Sequence, residues 1–183
     1  QDIYYEDVAH PEIAMPTDSP EIPADVYAQR LHRVRDVMQQ EGLDTLVVYA
    51  DREHFANFHY LVGFEPRFEE GLLVVHQEGK TTAFLGNECV GLTETSKIPV
   101  EPLLCQVLSL PSQPMDKSRP LEEQLRSAGL KQNSRVGLVG WKYFTHVAEP
   151  EYTFELPAFI VKAAIGVVGG EHSVVHATSI FIA

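Results

Sequence analysis

The stretch "RVRDVMQQEGLDTLVVYADREHFANFHYLVGF", residues 33–64, joins a helix-like segment to an apolar strand and then to an aromatic segment. Four apolar residues recur at helical spacing along one face of the first segment and the residues before it: Tyr27, Leu31, Val34 and Met38. This period predicts a helix with Asp25 as its N-cap and Gly42 as its end. "TLVVYA" (45–50) follows and is apolar on both faces, as is typical of a central strand covered on both sides. The stretch therefore predicts an α/β layer.

The segments that follow predict a hairpin. In "LLVVHQEGKTTAFLG" (72–86), two strand-like runs flank a short turn at Gln77, Glu78 and Gly79. "VEPLLCQVLSL" (100–110) predicts a fourth strand, and its proline disfavours an interior position in the sheet. Because a hairpin pairs its strands antiparallel, we expect a mixed sheet.

The rest of the chain predicts a second helix and further strands. Residues 118–128 have helical spacing, with Pro120 in the first turn. "RVGLVGW" (135–141) predicts a strand, and "SVVHATSIFIA" (173–183) predicts a last strand. Residues 151–168 are compatible with helix or strand, because proline and glycine interrupt an apolar run.

Composition limits the class of protein. A chain of 183 residues with 44% hydrophobic residues is long enough for one core-forming domain, and no apolar run is long enough to cross a membrane. The net charge is −12, and the first 25 residues hold seven carboxylates without a lysine or arginine. We therefore predict an acidic, proline-rich leader (1–24), extended or poorly ordered, and one domain (25–183). No basic stripe is present, which argues against nucleic acid and membrane partners.

The cysteines and the first residues bear on the compartment. Cys89 and Cys105 are too few for a disulfide framework in a chain of this length and are expected to be free, partly buried thiols. The chain does not open with the pattern of a secretion signal, so the cytoplasm is the expected location.

No catalytic centre can be identified from spacing alone. His172 and His176 are four residues apart, but the valines between them favour a strand, in which i and i+4 side chains are too far apart to chelate one ion easily. "GVVGGEH" (166–172) is rich in glycine but lacks the spacing of a dinucleotide-binding loop. A complete small hydrolase with an unrecognised site remains one hypothesis.

The order of these elements resembles the N-terminal domain of the creatinase, prolidase and Xaa-Pro aminopeptidase superfamily, the pita-bread metallopeptidases. The similarity spans about residues 26–140 and is most specific at residues 33–64. There the family typically shows an "N-x-x-Y-L-T-G-F" turn, and five residues match it: Asn57, Tyr60, Leu61, Gly63 and Phe64. Val62 departs from the usual threonine or serine. The resemblance implies a single α/β domain with a mixed sheet, flanking helices and a ribonuclease-H-like motif.

The resemblance also implies a larger parent protein. Full-length members hold two divalent metal ions (manganese, cobalt or zinc) on two Asp, one His and two Glu of a C-terminal domain, and hydrolyse X-Pro or related C–N bonds. None of those ligands maps onto this chain, so neither catalytic residues nor a cofactor are expected in it. It is expected to act as a non-catalytic domain for oligomerisation and for the substrate entrance. The alternative is a stand-alone ligand- or protein-binding module on the same fold.

In family dimers the N-terminal domain lends loop residues to the rim of the neighbouring subunit's active site. By that resemblance Arg67 and Phe68 are rim candidates, since a guanidinium can fork onto a substrate carboxylate and a ring can cover a proline-like side chain. Three further residues are substrate-rim candidates: His54, Asn57 and Phe64. The alternative for Arg67 is a solvent-exposed ion pair with Glu69 or Glu70, which would contribute little energy.

Overall fold

The computed structural model describes residues 3–11, 18 and 20–182. Its centre is a sheet in the order β4-β3-β2-β1-β5-β6. The strands are β1 (Thr45–Ala50), β2 (Gly71–His76), β3 (Thr81–Leu85), β4 (Glu101–Leu104), β5 (Val136–Val139) and β6 (Val174–His176). β1 pairs antiparallel with β2 and parallel with β5, and the predicted hairpin pairs β2 with β3. The sheet is therefore mixed, as predicted, and the proline-containing β4 lies at its edge.

Helices cover both faces of this sheet. α1 (Ala24–Gln40) and α2 (Ala56–Val62) pack on one face, and α3 (Leu121–Ser127) and α4 (Ala158–Val168) pack on the other. The side chains of β1 alternate between the two layers. Leu46 and Val48 belong to the core under α1 and α2, whereas Val47 and Tyr49 belong to the opposite core. All four are buried, which confirms the prediction of a central, covered strand.

Two helices start at positions other than those predicted. α1 begins at Ala24 with Pro23 as the capping residue, so Asp25 lies inside the first turn and is not the N-cap. Its carboxylate still favours the helix, because the N-terminal end of the helix dipole is positive. α3 begins at Leu121 instead of residue 118. Pro120 accounts for this difference, since a proline disfavours the helical conformation in the residue before it.

Two further segments correct the sequence prediction. The motif at residues 57–64, expected as a turn, forms α2 and ends at Gly63, whose φ of 81° is left-handed. The expected last strand is only three residues long. Its pairing with β5 stops at Leu138, whose carbonyl accepts the N–H of Ala177 just after β6. A 3-10 helix follows at Thr178–Phe181. The ambiguous segment 151–168 is resolved as α4 at its C-terminal part.

The described leader residues 3–11, 18 and 20–23 have neither helix nor strand, and the last residue of the predicted leader, Ala24, begins α1. Leader residues 1, 2, 12–17 and 19 are outside the described residues. Both cysteines are free, as predicted, but they are fully and not partly buried. Among the helices of the described residues, none combines the length and the apolar character that crossing a membrane requires.

Candidate functional site

Three loops meet at one end of the sheet, which we call the rim end. Ala50 at the end of β1 pairs with Gly71 at the start of β2, and Val48 pairs with Val139 at the end of β5. The loops 51–55, 63–70 and 140–149 therefore leave the sheet side by side. In open α/β sheets, ligands bind outside the carboxyl ends of the strands, where loops of this kind collect.

Arg67 and Phe68 are both exposed at the rim end. The Phe68 side chain is 53% exposed, and the Arg67 guanidinium carbon lies 5.4 Å from the centre of its ring. Arg52, from the neighbouring loop, lies 5.8 Å from the same ring centre. Among the described residues Arg67 has no ion pair with Glu69 or Glu70, so the proposed solvent pair is absent. Two guanidinium groups thus lie within 6 Å of the centre of one exposed phenyl ring.

Glu69 anchors the loop that carries these side chains. It is 2% exposed, and its carboxylate accepts the N–H groups of Glu88 and Cys89. A side chain at Gly86 would place a β-carbon 2.5 Å from this carboxylate, so the carboxylate uses the room that the glycine leaves. Arg67 adopts a φ of 56°, a left-handed conformation that costs a non-glycine residue about 1–2 kcal/mol. The anchor at Glu69 compensates this strain and holds the loop outward.

A thiol and a phenol complete the support of the loop. The Cys89 thiol donates to the Pro66 carbonyl over 2.7 Å. Burial, followed by the hydrogen bond and charge of Glu69, raises the pKa of Cys89 to about 12, so the thiol stays protonated. Tyr49 donates its hydroxyl proton to Glu70 Oε1 over 2.6 Å. Burial and Glu70 raise the pKa of Tyr49 far above its usual value, so the phenol remains a donor.

Asp51, His54 and Trp141 form a second group at the rim end. Asp51 Oδ1 accepts the backbone N–H groups of Glu53 and His54, and both its oxygens lie 3.0 Å from His54 Nδ1. Burial acts to raise the pKa of Asp51, but these hydrogen bonds outweigh it and hold that pKa below its usual value. The His54 ring stacks on Trp141 with centres 3.8 Å apart and planes 20° apart. The imidazole is therefore held at one nitrogen and on one face.

The backbone at Gly140 and Trp141 is itself fixed by side chains. Asn57 donates to the Gly140 carbonyl over 2.8 Å, and Thr178 Oγ1 accepts the Gly140 N–H over 3.0 Å. Glu155 Oε1 accepts the N–H groups of Trp141 and Lys142 over 2.6 and 2.7 Å. These bonds set the start of the loop after β5, and with it the position of the indole on which His54 stacks.

A buried acid and histidine lie behind this loop. Glu155 Oε2 and His176 Nε2 are 3.5 Å apart, and each side chain is 5% exposed. Burial acts to raise the pKa of Glu155, but the adjacent His176 ring and the backbone N–H groups that the carboxylate accepts outweigh burial and lower that pKa to about 2. A carboxylate in this position stays ionised at any ordinary pH.

The five rim candidates have different surroundings. Arg67, Phe68 and His54 are at the rim end with exposed atoms. Phe64 is 7% exposed and packs edge-to-face on Phe58, so it is a core residue and not a rim residue. The side-chain amide of Asn57 is hydrogen-bonded to the Gly140 carbonyl, so Asn57 is a positioning residue.

Sequence reasoning missed three residues at this end: Arg52, Trp141 and Glu155. Trp141 is the last residue of the predicted strand 135–141, whereas β5 ends at Val139, and its position at a strand end was a usable signal. Arg52 and Glu155 carried no such signal, since their roles depend on contacts between distant segments.

The structure provides no donor set for a metal ion among the described residues. No group of three or more His, Cys, Asp or Glu side chains is arranged to hold one there. His172 lies against the ring of Tyr152, and His176 faces Glu155. The two histidines of the sequence motif therefore lie in separate environments.

The exposure of Arg67 and Phe68 leads to a stability prediction. Arg67→Ala or Phe68→Ala should change the free energy of unfolding by no more than about 0.5 kcal/mol, as expected for surface positions. Urea denaturation followed by circular dichroism measures it. A loss above about 1 kcal/mol for either variant would show that the side chain supports the fold.

Comparison with known proteins identifies relatives of the fold. The model of a family described as the Creatinase/Prolidase N-terminal domain matches residues 30–145. Among solved structures, the dipeptidase PepE from Mycobacterium ulcerans aligns with a TM-score of 0.57 at 16% identity over 89% of this chain and 37% of its own. A proline dipeptidase from Streptococcus pneumoniae TIGR4 aligns with a TM-score of 0.55 at 17% identity, over 83% of this chain and 93% of its own.

A Creatine_N superfamily domain of a dipeptidase from Streptococcus thermophilus gives a TM-score of 0.53 at 18% identity, over 84% of this chain and 95% of its own. At these identities the structural matches show the fold alone. No curated protein matches the sequence significantly. This chain spans little more than a third of the length of the Mycobacterium ulcerans dipeptidase.

Proposed function

Because the chain belongs to the creatinase/prolidase N-terminal domain family, we propose that it is the non-catalytic N-terminal domain of an Xaa-Pro peptidase or creatinase-like hydrolase. In this proposal the parent is a cytoplasmic homo-oligomer, and the rim end of one subunit borders the active site of its neighbour. The parent's substrate is a peptide or a small C–N compound. The described residues offer no fit for the divalent metal ions of such an enzyme, so those ions would bind elsewhere in the parent.

The exposed ring of Phe68, with two guanidinium groups near it, carries this proposal. A large aromatic side chain left in water gains nothing for the isolated domain, whereas a partner surface or ligand would bury it. The Glu69 anchor and the strained Arg67 backbone show that the loop is held in place and is not a free tip. Strain of this kind concentrates at functional sites.

The chemistry of these side chains suits a short peptide. A guanidinium presents paired N–H donors that match a carboxylate, and a phenyl ring can lie against the apolar ring of a proline. Arg52 adds a second cation beside the same phenyl ring. The rim would thus bind the carboxylate end of a substrate and cover its apolar part, while the bond cleavage takes place on another domain.

Arg67→Ala in the parent enzyme tests the proposal. We expect kcat/KM for glycyl-proline to fall by the equivalent of about 1.5–3 kcal/mol, because a charged hydrogen bond to the substrate is lost. The loss should be smaller for a substrate whose carboxylate is amidated. Steady-state kinetics on both substrates measure it.

Arg119→Ala is the matched control, since Arg119 is also exposed but lies before α3 and pairs with Glu123. It should leave the kinetics unchanged. Wild-type kinetics in Arg67→Ala would contradict the rim assignment.

A stand-alone binding module is the second candidate. It is favoured by the two well-packed cores on the two faces of the sheet, because such a unit needs no further domain in order to fold. The coding sequence after Ala183 distinguishes the two functions. A following domain with two Asp, one His and two Glu as metal ligands supports the enzyme, and a stop codon supports the module.

A further inference from the structure

We propose that His54 is a second ligand-contacting residue of the rim, which donates a hydrogen bond from Nε2 to the carboxylate of a bound peptide, with Asp51 and Trp141 as positioning residues. The inference rests on the proposed function for the class of ligand. It assigns to His54 a contribution that depends on protonation, in contrast to the permanent charges of Arg52 and Arg67.

Asp51 holds one ring nitrogen of His54. Both carboxylate oxygens lie 3.0 Å from His54 Nδ1, so that nitrogen carries the proton that the carboxylate accepts. Two backbone N–H groups fix the carboxylate itself. A group that is hydrogen-bonded to one imidazole nitrogen fixes the tautomer and so the role of the other nitrogen. Nε2 is left as the atom that gains or loses a proton.

An aromatic side chain backs the His54 ring. Trp141 covers one face of the imidazole at 3.8 Å, and the backbone N–H of Trp141 is held by the buried carboxylate of Glu155. The His54 side chain is nevertheless 35% exposed. A ring that is held at Nδ1, backed on one face and still open to solvent is arranged to present its remaining atoms.

The other polar and charged groups near the Asp51–His54 pair have partners of their own or face solvent. From β1, the Tyr49 hydroxyl lies 3.3 Å from Asp51 Oδ2 and donates to Glu70 at the start of β2. In the loop of His54 itself, Arg52 and Glu53 point into solvent and approach each other only to 4.0 Å. From the loop after β5, Lys142 donates its backbone N–H to Glu155. Asp51 is therefore the one carboxylate bonded to the imidazole within the described residues.

The protonation state of His54 decides whether Nε2 attracts or repels a carboxylate. Neutral His54, with its proton on Nδ1, has only a lone pair at Nε2 and repels a carboxylate. Protonated His54 has an N–H there and attracts it. An arginine keeps its protons at every accessible pH. The affinity for a carboxylate should therefore contain a part that falls as the pH rises, due to His54, and a constant part due to arginine.

The test uses the 183-residue chain and its single tryptophan, Trp141, as the reporter. Glycyl-proline is titrated at about pH 5.5 and about pH 8, on either side of the range in which histidine side chains titrate, and Trp141 emission is followed. Nitrogen NMR of the imidazole reports Nε2 directly. We expect the dissociation constant to be about five-fold lower at the acidic pH. Glycyl-prolinamide, which lacks the carboxylate, should show no such difference.

His54→Gln should remove the pH dependence and leave the constant part, whereas Arg67→Gln should weaken binding equally at both pH values. Asp51→Asn should shift the neutral imidazole from an Nδ1–H to an Nε2–H form in the NMR spectrum. His32→Gln, an exposed histidine on α1, is the control and should behave as wild type.

Results that differ from these expectations distinguish the role of His54 from that of Arg67. An unchanged pH dependence in His54→Gln, or no response to the carboxylate at the acidic pH, overturns the assignment of His54. Binding that is lost in Arg67→Gln but independent of pH in the wild type keeps the proposed rim and removes only this inference. Binding that depends on pH and is unaffected in Arg67→Gln supports His54 and counts against Arg67.

Discussion

Leu46→Ala is expected to lower the free energy of unfolding by about 2–5 kcal/mol, the range for large-to-small changes in a well-packed core. Leu46 is fully buried in the central strand β1, between β2 and β5. Its partner in the adjacent strand β5 is Gly137, and a β-carbon at that position would lie 2.6 Å from Leu46 Cδ2. The leucine thus fills the space that the glycine leaves open. Alanine cannot reach into it, so a cavity remains in the core.

Urea denaturation of the purified variant, followed by circular dichroism, measures this loss. Val107→Ala is the matched control, because this apolar side chain is 40% exposed and its removal should cost no more than about 0.5 kcal/mol. If the Leu46→Ala curve overlays that of the wild type, the packing of Leu46 over Gly137 does not contribute to stability.

The elements that the sequence predicts correctly have local patterns. A strand buried on both faces has to be apolar at successive positions, and residues 45–50 show this because no position of β1 meets water. The hairpin of β2 and β3 is recognisable because two apolar runs flank a turn that contains Gly79, whose φ is 92°. Burial and turn geometry act directly on neighbouring residues, so one sequence is enough to detect them.

The elements that the sequence did not predict depend on contacts between distant segments. α2 has only seven residues, and its helical nature follows from the burial of Phe58, Leu61 and Val62 against the core. β6 is short because its pairing with β5 stops at Leu138, after which the chain turns into a 3-10 helix at Thr178–Phe181. Neither limit is visible in the segment itself, because a partner strand and a core position are properties of the whole fold.

The candidate site was predicted only in part for the same reason. Arg67 and Phe68 stand out as charge and aromatic character next to a strand. Phe64 has the same character, yet its ring points into the core. Trp141 reaches His54 from the loop after β5, more than eighty residues further along the chain. A site built from three loops is assembled by the order of the strands, and this order is not a local property of any of them.

Glu155→Gln is expected to cost about 3 kcal/mol of stability at neutral pH, because the variant loses the charge that the structure stabilises at this position. The carboxylate is 5% exposed, accepts two backbone N–H groups and faces His176. Gly140 packs directly against it, since an added β-carbon there would collide with Glu155 Oε1. The amide can still accept a hydrogen bond, but it carries no charge for the imidazole.

The pH dependence gives this prediction a definite sign. The pKa of Glu155 is lowered from 4.5 to about 2 in the folded state, so its contribution is complete above about pH 4.5 and is lost as the pH falls towards about 2. The difference in stability between wild type and Glu155→Gln should therefore be constant near neutrality and shrink in acid. Urea denaturation at a series of pH values measures it.

Glu151→Gln, which changes an exposed carboxylate near Glu155 in the chain, is the control and should show almost no difference from wild type at any pH. A gap between wild type and Glu155→Gln that stays constant down to about pH 2.5 would mean that the lost stability comes from packing and not from the charge of the carboxylate.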